Sequence, residues 1–562
     1  MTERIWLKSY PEGVPADIDP ERYTSMVSMM AESFQKFADR PAYSFMGQEM
    51  RYGEAARLSR AFGAYLQSLG LARGDRVAVM MPNVLQYPLV VAGILQAGYT
   101  LVNINPLYTP RELEYQLKDS GAKAIVILEN FAATLQKCLD RTPVKHVVLC
   151  ALGDRLGLLK GALVNYVVRH VKKMVPPYAL PGAVRFNDTL NVGRELVAPE
   201  IAAGDIAVLQ YTGGTTGVSK GAMLTHRNLV ANLLQADACF QPALVKIPPG
   251  EQINLVCALP LYHIFAFTVS MMLSIRLGGK LILIPNPRDF PATLAELSRH
   301  KIHVFPAVNT LFNALANHPD FGKVNWKHLV VCAGGGTAVQ SAVAKLWFEK
   351  TGCPICEGYG LSETSPIVTC NPVTVTEYSG SIGTPVPSTW LKLLDDQGQE
   401  VTEFGRAGEI AIKGPQVMLG YWQRPDETEK AMTADGYFRS GDIGVMDEAG
   451  YFRIVDRKKD MILVSGFNVF PNELEELLTQ MPEILECACI GIPDEHTGEA
   501  VKLVVVKKDP TLDEARVRAF CKKNLTGYKQ PKVIEFRDEL PKTPVGKILR
   551  RELRQTGGPK AP

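Results

Sequence analysis

Ile206-Ala-Val-Leu-Gln-Tyr-Thr-Gly-Gly-Thr-Thr-Gly-Val-Ser-Lys-Gly-Ala-Met-Leu224 decides how the rest of this chain is read. An apolar strand, Ile206 to Leu209, runs into a series of small polar residues and emerges as a second apolar run at Ala222 to Leu224. Glycines let backbone N–H groups come close to an anion, threonine hydroxyls add donors, and Lys220 adds positive charge. Phosphate is the natural ligand of such a loop. It is not a Walker A loop, because Lys220 is followed by Gly221 and the required spacing is missing. Gly217-Val-Ser-Lys-Gly221 does fit Gly-x-Ser-x-Gly, the pattern of a nucleophile elbow. An elbow needs a strand, one sharp turn and a helix, whereas this segment is a long loop between two apolar runs. A serine hydrolase is the weaker reading.

On the N-terminal side of the loop, strand and helix patterns alternate. Arg76 to Met81 reads as a buried strand, Val84 to Ala97 as a helix, Tyr99 to Ile104 and Lys123 to Leu128 as further strands. Thr109-Pro-Arg-Glu112 is a capping box with proline at the first helical position. Alternation of this kind predicts parallel βαβ units, and the rhythm returns after Gly204, so two such sheets are expected. From about Val373 to Val455 the texture changes to short β-rich runs broken by Gly and Pro, which predicts a small β-barrel or antiparallel sheet. The charged run Asp456-Arg-Lys-Lys-Asp460 marks a composition boundary and reads as a linker or hinge. A compact α/β pattern follows, then a basic segment with Lys542, Lys547, Arg550, Arg551 and Arg554. The expected organisation is therefore α/β: residues 1–455 as a large domain with a β-rich part at 373–455, a hinge at 456–460, and a small mobile α/β domain at 461–562.

Composition narrows the class. With 562 residues, 46% apolar and 21% charged, the chain is an ordinary globular protein of several units. A net charge of +3 gives no reason to expect nucleic acid as a partner. The longest apolar run, Ile264 to Ile275, stops at Arg276, short of the roughly 20 residues that span a bilayer. The start has no signal-peptide pattern, so a cytoplasmic location is expected. Eleven cysteines, an odd number thinly spread, disfavour a disulfide framework. Cys353-Pro-Ile-Cys356 has metal or redox spacing, but no second pair accompanies it and its apolar neighbours suggest a buried strand.

Asp154 to Tyr178 stands apart. Leucines and valines alternate there with Lys160, Arg169, His170, Lys172 and Lys173. It reads either as a cationic amphipathic helix on the inner face of a membrane or as a surface helix packed on its own domain or another subunit. Peripheral membrane contact and a homodimer are both compatible with it.

Five ordered motifs place the chain more sharply. The 211–221 loop resembles the phosphate-binding signature of the adenylate-forming superfamily, which includes acyl-CoA synthetases, peptide-synthetase adenylation domains and luciferases. Gly358-Tyr-Gly-Leu-Ser-Glu-Thr364 is similar to its second core motif and Tyr437-Phe-Arg-Ser-Gly-Asp-Ile-Gly444 to its third. Asp456 to Asp460 resembles its inter-domain hinge, and Pro544-Val-Gly-Lys547 its C-terminal lysine motif. The continuous run Asp435 to Glu475, with Pro415 to Trp422 and Gly546 to Leu553, resembles the bacterial long-chain fatty acyl-CoA ligases. Tyr437-Phe438 and Ser440 depart from the common residues there without removing a charged or hydroxyl function.

The resemblance implies ATP-dependent activation of a fatty acid through an acyl-AMP, with Mg2+ as metal and coenzyme A as co-substrate, feeding fatty acid degradation or lipid synthesis. It implies that Tyr211, Thr212, Gly213, Gly214, Thr215, Thr216, Gly217, Val218, Ser219, Lys220, Gly221 and Ala222 hold phosphates. Glu363, assisted by Thr212, would hold Mg2+, since hard cations prefer oxygen ligands. Tyr359 would stack on adenine beside the backbone of Gly334, Gly335 and Gly336, with Gly360 and Ser362 on the same wall. Asp442 and Arg457 would take the ribose hydroxyls. Lys547 would bridge the acid and the α-phosphate, and Lys459 would be the hinge residue. His263 resembles the residue beside the acyl carbon, with a core histidine as its rival. Ser465 and Gly466 match the loop along the pantetheine path.

Acyl length is read from Gly360, where short-acid relatives carry a bulky tryptophan; glycine is expected to leave the pocket floor open. Val308, Leu311 and Phe312 are expected to continue an apolar tunnel. The rival readings are a medium-chain or arylalkanoic acid–CoA ligase and an acyl-AMP ligase that serves a carrier protein.

Overall fold

The computed structural model describes residues 4–555 apart from 192, 213–218, 376, 466 and 544–545. Two large sheets organise the first part of the chain. In the seven-stranded one the order is Val184–Arg185, His146–Cys150, Ala124–Leu128, Arg76–Met80, Thr100–Asn103, Ile206–Thr212, Lys220–Thr225. Every neighbouring pair is parallel except the last, which is an antiparallel hairpin. Ala124–Leu128 is buried at each of its positions, as expected of a strand covered by helices on both faces. The helices Gln86–Gln96 and Pro110–Ser120 make the crossovers, and the second opens with the expected Thr109–Glu112 capping box.

The nine-stranded sheet has a parallel centre, from Ile355–Gly360 through Val331–Gly334, Val304–Ala307, Asn254–Cys257 and Lys280–Leu283 to Pro41–Phe45. Antiparallel strands close its two edges. The apolar run Ile264 to Ile275 lies in buried helix packed on the nine-stranded sheet, and among the described residues no helix is long and apolar enough to cross a membrane. The helix His226–Leu244 ties the assembly together. Its Asn228 Nδ2 donates to the carbonyls of Pro415 and Val417 at 2.8 and 2.9 Å, and Asn232 Nδ2 donates to the Ile367 carbonyl at 2.8 Å.

Of the two forms expected for the β-rich region, the structure has the antiparallel sheet, open and five-stranded, and not the small barrel. Among the described residues Glu400–Val401 pairs only with Trp390–Leu394, and Phe452–Arg457 forms the opposite edge. A strand of two residues supplies too few ladder bonds to close a barrel. The C-terminal unit carries a sheet of its own, in which the long hairpin Ile484–Asp494/Gly498–Lys507 is flanked by Ile462–Val464 and Val533–Arg537. It also has a separate apolar core that includes Leu474, Cys489, Leu503 and Val517.

Candidate functional site

The hairpin Ile206–Thr212/Lys220–Thr225 sets Thr212 directly opposite Lys220, so the ends of the glycine-rich loop are pinned side by side. Gly213, Gly214, Thr215, Thr216, Gly217 and Val218 lie outside the described residues. The loop's base is fixed by hydrogen bonds: Ser219 Oγ donates to the Thr212 carbonyl at 2.6 Å, and Tyr115 donates to the Ser219 carbonyl at 2.9 Å. Tyr211 donates to Asp119 at 2.7 Å, and the same carboxylate pairs with Arg424. The serine of the elbow-like pattern thus spends its hydroxyl within the loop, and a strand follows it where an elbow needs a helix. Gly221 packs under the Tyr211 ring, and Ala222 is buried opposite Tyr421. Lys220 Nζ lies 2.5 Å from Glu427 and 4.8 Å from the centre of the Tyr421 ring.

The second wall comes from the Ile355–Gly360 strand and the turn Ser362–Thr364. Tyr359 donates to Asp442 Oδ2 at 2.7 Å, and the other Asp442 oxygen meets Arg457 Nε at 3.0 Å. Asp442 and Arg457 are cross-strand partners, so the pairing is set by register. Gly334 ends its strand, Gly335 passes within contact of Phe265, and Gly336 takes a positive φ beside Val308.

Glu363 is buried, and burial pushes its carboxyl above the ordinary glutamate range. One of its oxygens accepts from Tyr421 at 2.8 Å. A buried carboxylate with no ion pair among the described residues fits a divalent cation, because such a charge otherwise stays uncompensated. Thr212 shares the strand end that opens the loop, but its hydroxyl lies 3.5 Å from the Lys220 carbonyl and offers a weaker donor.

The third wall belongs to the C-terminal unit. Gly546, at φ +78°, seats the loop bearing Lys547 on the first domain: a Cβ there would stand 2.5 Å from Thr310 Oγ1 and 3.3 Å from Val308. Lys547 is pushed down to about 8, first by burial and then by the positive charges of Arg457, Lys459 and Arg550, with Asp442 opposing. His263 is pushed down to about 4 by burial and by Lys547, so its ring is neutral at pH 7. Lys459 is lowered as well, by burial and by Arg457. Lys547, His263, Asp442, Arg457 and Lys459 therefore share one space, although they come from three separate regions of the chain. A cavity of about 280 Å³ opens beside Asp442, Arg457 and Lys459, with Ser440, Gly441 and Lys458 completing its lining. Ser465, at φ +51°, is exposed on the hairpin at the start of the C-terminal sheet, apart from this group; Gly466 lies outside the described residues.

Two expectations about the acyl pocket are corrected. A Cβ at Gly360 would stand 2.0 Å from the Pro366 carbonyl oxygen, so neighbouring backbone fills the space expected to be an open floor. Phe312 does not line a tunnel. It is fully buried in an aromatic cluster, with ring centroids 5.7 Å from Phe305 and 4.7 Å from Trp347.

Three contributors went unassigned in the sequence: Tyr421, the Gly546–Thr310 contact, and Arg550, which pairs with Glu475 at 2.8 Å beneath the Lys547 segment. Tyr421 sits in the Pro415–Trp422 run, whose resemblance was visible and whose role was not.

Residues 30–422 match the AMP-binding enzyme family, and residues 473–547 match the AMP-binding enzyme C-terminal domain. A long-chain-fatty-acid–CoA ligase of Escherichia coli O157:H7 is 55% identical over 555 residues, which cover 98% of each chain. The corresponding ligase of Bacillus subtilis strain 168 is 38% identical, again over 98% of each. An anthranilate CoA ligase solved in complex with anthranoyl-AMP superposes with a TM-score of 0.83 at 25% identity, covering 96% of this chain and 99% of that one. A glycine-rich hairpin, an Asp442–Arg457–Tyr359 wall and a lysine delivered by a second domain thus occur in a chain matched along its length, and it belongs to the AMP-binding enzyme family.

Proposed function

We propose that this protein is a long-chain-fatty-acid–CoA ligase working in two half-reactions. The acid's carboxylate attacks the α-phosphorus of ATP, forming acyl-AMP and releasing pyrophosphate; the thiol of coenzyme A then attacks the acyl carbonyl, forming the thioester and releasing AMP and a proton. The observation that carries this reading is the position of Lys547, half-buried and within electrostatic reach of Arg457, Asp442 and His263 although it belongs to the C-terminal unit.

The first step sets an anionic acid against an anionic phosphate, so the site must supply positive charge where the transition state concentrates negative. Lys547 supplies it between the two reactants, and the 211–222 loop with Lys220 holds the outer phosphates. Tyr359 provides the adenine face beside Gly334 to Gly336, with Gly360 and Ser362 shaping its edge. Asp442 accepts from the ribose hydroxyls while Arg457 and Tyr359 hold its carboxylate in place. Glu363, with Thr212, is the oxygen set that would hold Mg2+, which when bound neutralises phosphate charge. The neutral His263 ring fits beside the acyl carbon, where an imidazolium would attract the carboxylate away from phosphorus.

The second step needs the lysine withdrawn and the thiol admitted. Residues 456–460 are the hinge, with rotation at Lys459 turning residues 461–562 against residues 1–455 and bringing the Ser465–Gly466 loop toward the pantetheine path. The long-chain preference rests on the close relatives, since Gly360 and Phe312 give no local reading of acyl length. The test is pyrophosphate release and loss of coenzyme A thiol, measured with ATP for acids from acetate to palmitate. Rates that rise with chain length up to palmitate are expected. Preference for acetate or an aromatic acid would refute the substrate, and thioester cleavage without ATP would refute the reaction.

A further inference from the structure

The strand Ile355–Gly360, which carries Tyr359, also carries Cys356, a residue the two half-reactions do not use. The spacing Cys353-Pro-Ile-Cys356 does not bring those two thiols to one partner. Cys353 hydrogen-bonds with Cys332, whereas Cys356 faces Cys370 at the end of the strand Ile367–Cys370. The Cys356 and Cys370 sulfurs lie 3.7 Å apart, and both approach the Asn371 carbonyl oxygen, at 2.8 and 3.3 Å. Cys239, from the helix His226–Leu244, is a third thiol against Cys370. Three separate elements thus converge on one group of sulfurs. Among the described residues no group of His, Cys, Asp and Glu is arranged to hold a metal ion. Two thiols at contact distance can instead be joined.

Cys370 is the member an oxidant reaches. Cys370 and Cys239 are partly exposed, and Cys356 is buried. The first two line a cavity of about 20 Å³ together with Tyr10, Pro11 and Pro385, which is room for one small polar molecule. Tyr10 spans its edge by donating to the Pro385 carbonyl at 2.5 Å. The neighbouring thiols, Cys239 first and then Cys356, hold Cys370 well below the ordinary thiol range, because hydrogen bonds to a sulfur favour its thiolate. A partly exposed thiolate with a second cysteine beside it is the form that oxidants attack.

We propose that Cys370 and Cys356 form a site of reversible oxidation by hydrogen peroxide, and that the disulfide it yields loosens the nucleotide wall. The Cys370 thiolate attacks one peroxide oxygen. The O–O bond breaks, Cys370 becomes a sulfenic acid, and the departing hydroxide takes up the thiol proton as water. Cys356 then attacks the sulfenic sulfur. The S–S bond forms and the S–O bond breaks, and the oxygen leaves as a second water with the Cys356 proton. Two thiols are oxidised by two electrons, and the peroxide is reduced to water.

The bond reaches the nucleotide wall through strand register. Gly358 stands opposite Cys370 and Tyr359 opposite Thr369, so Cys356 and Cys370 are diagonal neighbours across the pair. Joining them closes 3.7 Å to about 2 Å and draws the strands together beside the Tyr359–Thr369 rung. Tyr359 holds Asp442 by a hydrogen bond of 2.7 Å, which a shift of that order lengthens or bends. This consequence rests on the function proposed above; the thiol chemistry does not.

The test treats the reduced full chain with hydrogen peroxide and digests it, unreduced, after glutamate. Cleavage at Glu357 and Glu363 separates the two cysteines, so their disulfide appears as a pair of linked peptides. That pair is expected, and dithiothreitol should remove it. Cys356→Ala and Cys370→Ala should abolish it, while Cys353→Ala and Cys239→Ala should still form it; unchanged melting of the reduced variants confirms folding. The KM for ATP of the oxidised parent, read by pyrophosphate release, should rise about tenfold and return on reduction. Peroxide-treated Cys370→Ala should keep the KM of its reduced form. No linked pair, a pair that depends on Cys353, or Cys370 joined to Cys239 would overturn the site. The expected pair with an unchanged KM would overturn its effect on the wall. The same pair in a protein that releases no pyrophosphate when reduced would refute the proposed function and leave the thiol site standing.

Discussion

Lys547→Ala removes one half-buried positive charge, and Coulomb's law sets the size of the effect. Two unit charges about 4 Å apart interact by roughly 4 kcal/mol at an effective dielectric of 20. Loss of that interaction in the transition state slows acyl-AMP formation by about three powers of ten. Thioester formation from synthetic acyl-AMP and coenzyme A should fall less than about fivefold, because the lysine has withdrawn by then. The pH dependence is a second handle. Burial, Arg457, Lys459 and Arg550 bring Lys547 from 10.5 to about 8, and that fall corresponds to ~3 kcal/mol against the charged form in the closed arrangement. The sign follows: the amine is charged below pH 8 and loses its proton as pH rises through 8, so kcat/KM for adenylation falls there. An anionic nucleotide opposes the shift and moves the limb of kcat upward. Lys547→Arg keeps its charge throughout and should abolish the limb, whatever its absolute rate. The assays are pyrophosphate release in the absence of coenzyme A, and thiol consumption with supplied acyl-AMP, each between pH 6 and 10. Equal loss of both half-reactions in Lys547→Ala, or an unchanged limb in Lys547→Arg, would refute the role given to this lysine.

Further outcomes follow from neighbouring features. Gly546→Ala places a Cβ 2.5 Å from Thr310 Oγ1 at φ +78°, so closure is blocked; adenylation should drop about tenfold or more while thioester formation from acyl-AMP is spared, and equal effects on both would remove the docking argument. Lys459→Pro fixes φ at the hinge and should slow the second half-reaction about a hundredfold more than the first; an unaffected second half-reaction would move the hinge elsewhere. Tyr421→Phe takes a hydrogen bond from the buried Glu363 carboxylate, an interaction worth about 1.5–3 kcal/mol. The Mg2+ concentration for half-maximal rate should change about tenfold, read by Mg2+ titration, with KM for coenzyme A unchanged; identical titrations would separate Tyr421 from the metal ligand.

The parts of the site written in local runs of sequence were legible. The strand before the glycine-rich loop, the capping box at Thr109 and the charged run at Asp456 to Asp460 each carry their signal within a few residues, because a strand, a cap or a turn is decided by neighbours. Contacts between distant residues left no such trace. Tyr421 and Glu363 are 58 positions apart and nothing in either stretch names the other. Gly546 depends on Thr310, a residue of the other domain. Gly360 was misread for the same reason: the backbone of Pro366 that fills its space returns by a turn whose path is tertiary. The β-rich region had the residue texture of strands, but whether its edges meet is decided by pairing and not by texture. The helix at residues 158–166 was visible as a pattern; which of its faces is covered required the structure.

Arg457 stands opposite Asp442 in the sheet and also immediately precedes Lys458 and Lys459. On the function proposed, one side chain would serve both the nucleotide wall and the pivot, and thermodynamic reciprocity would apply between them. A nucleotide that prefers the closed posture by some factor raises the closed-to-open ratio by the same factor. Departure of pyrophosphate withdraws part of that preference. The chemistry of the first step would then release the latch that delays the second, so that the order of the two half-reactions is kept by a binding equilibrium rather than by a separate control element.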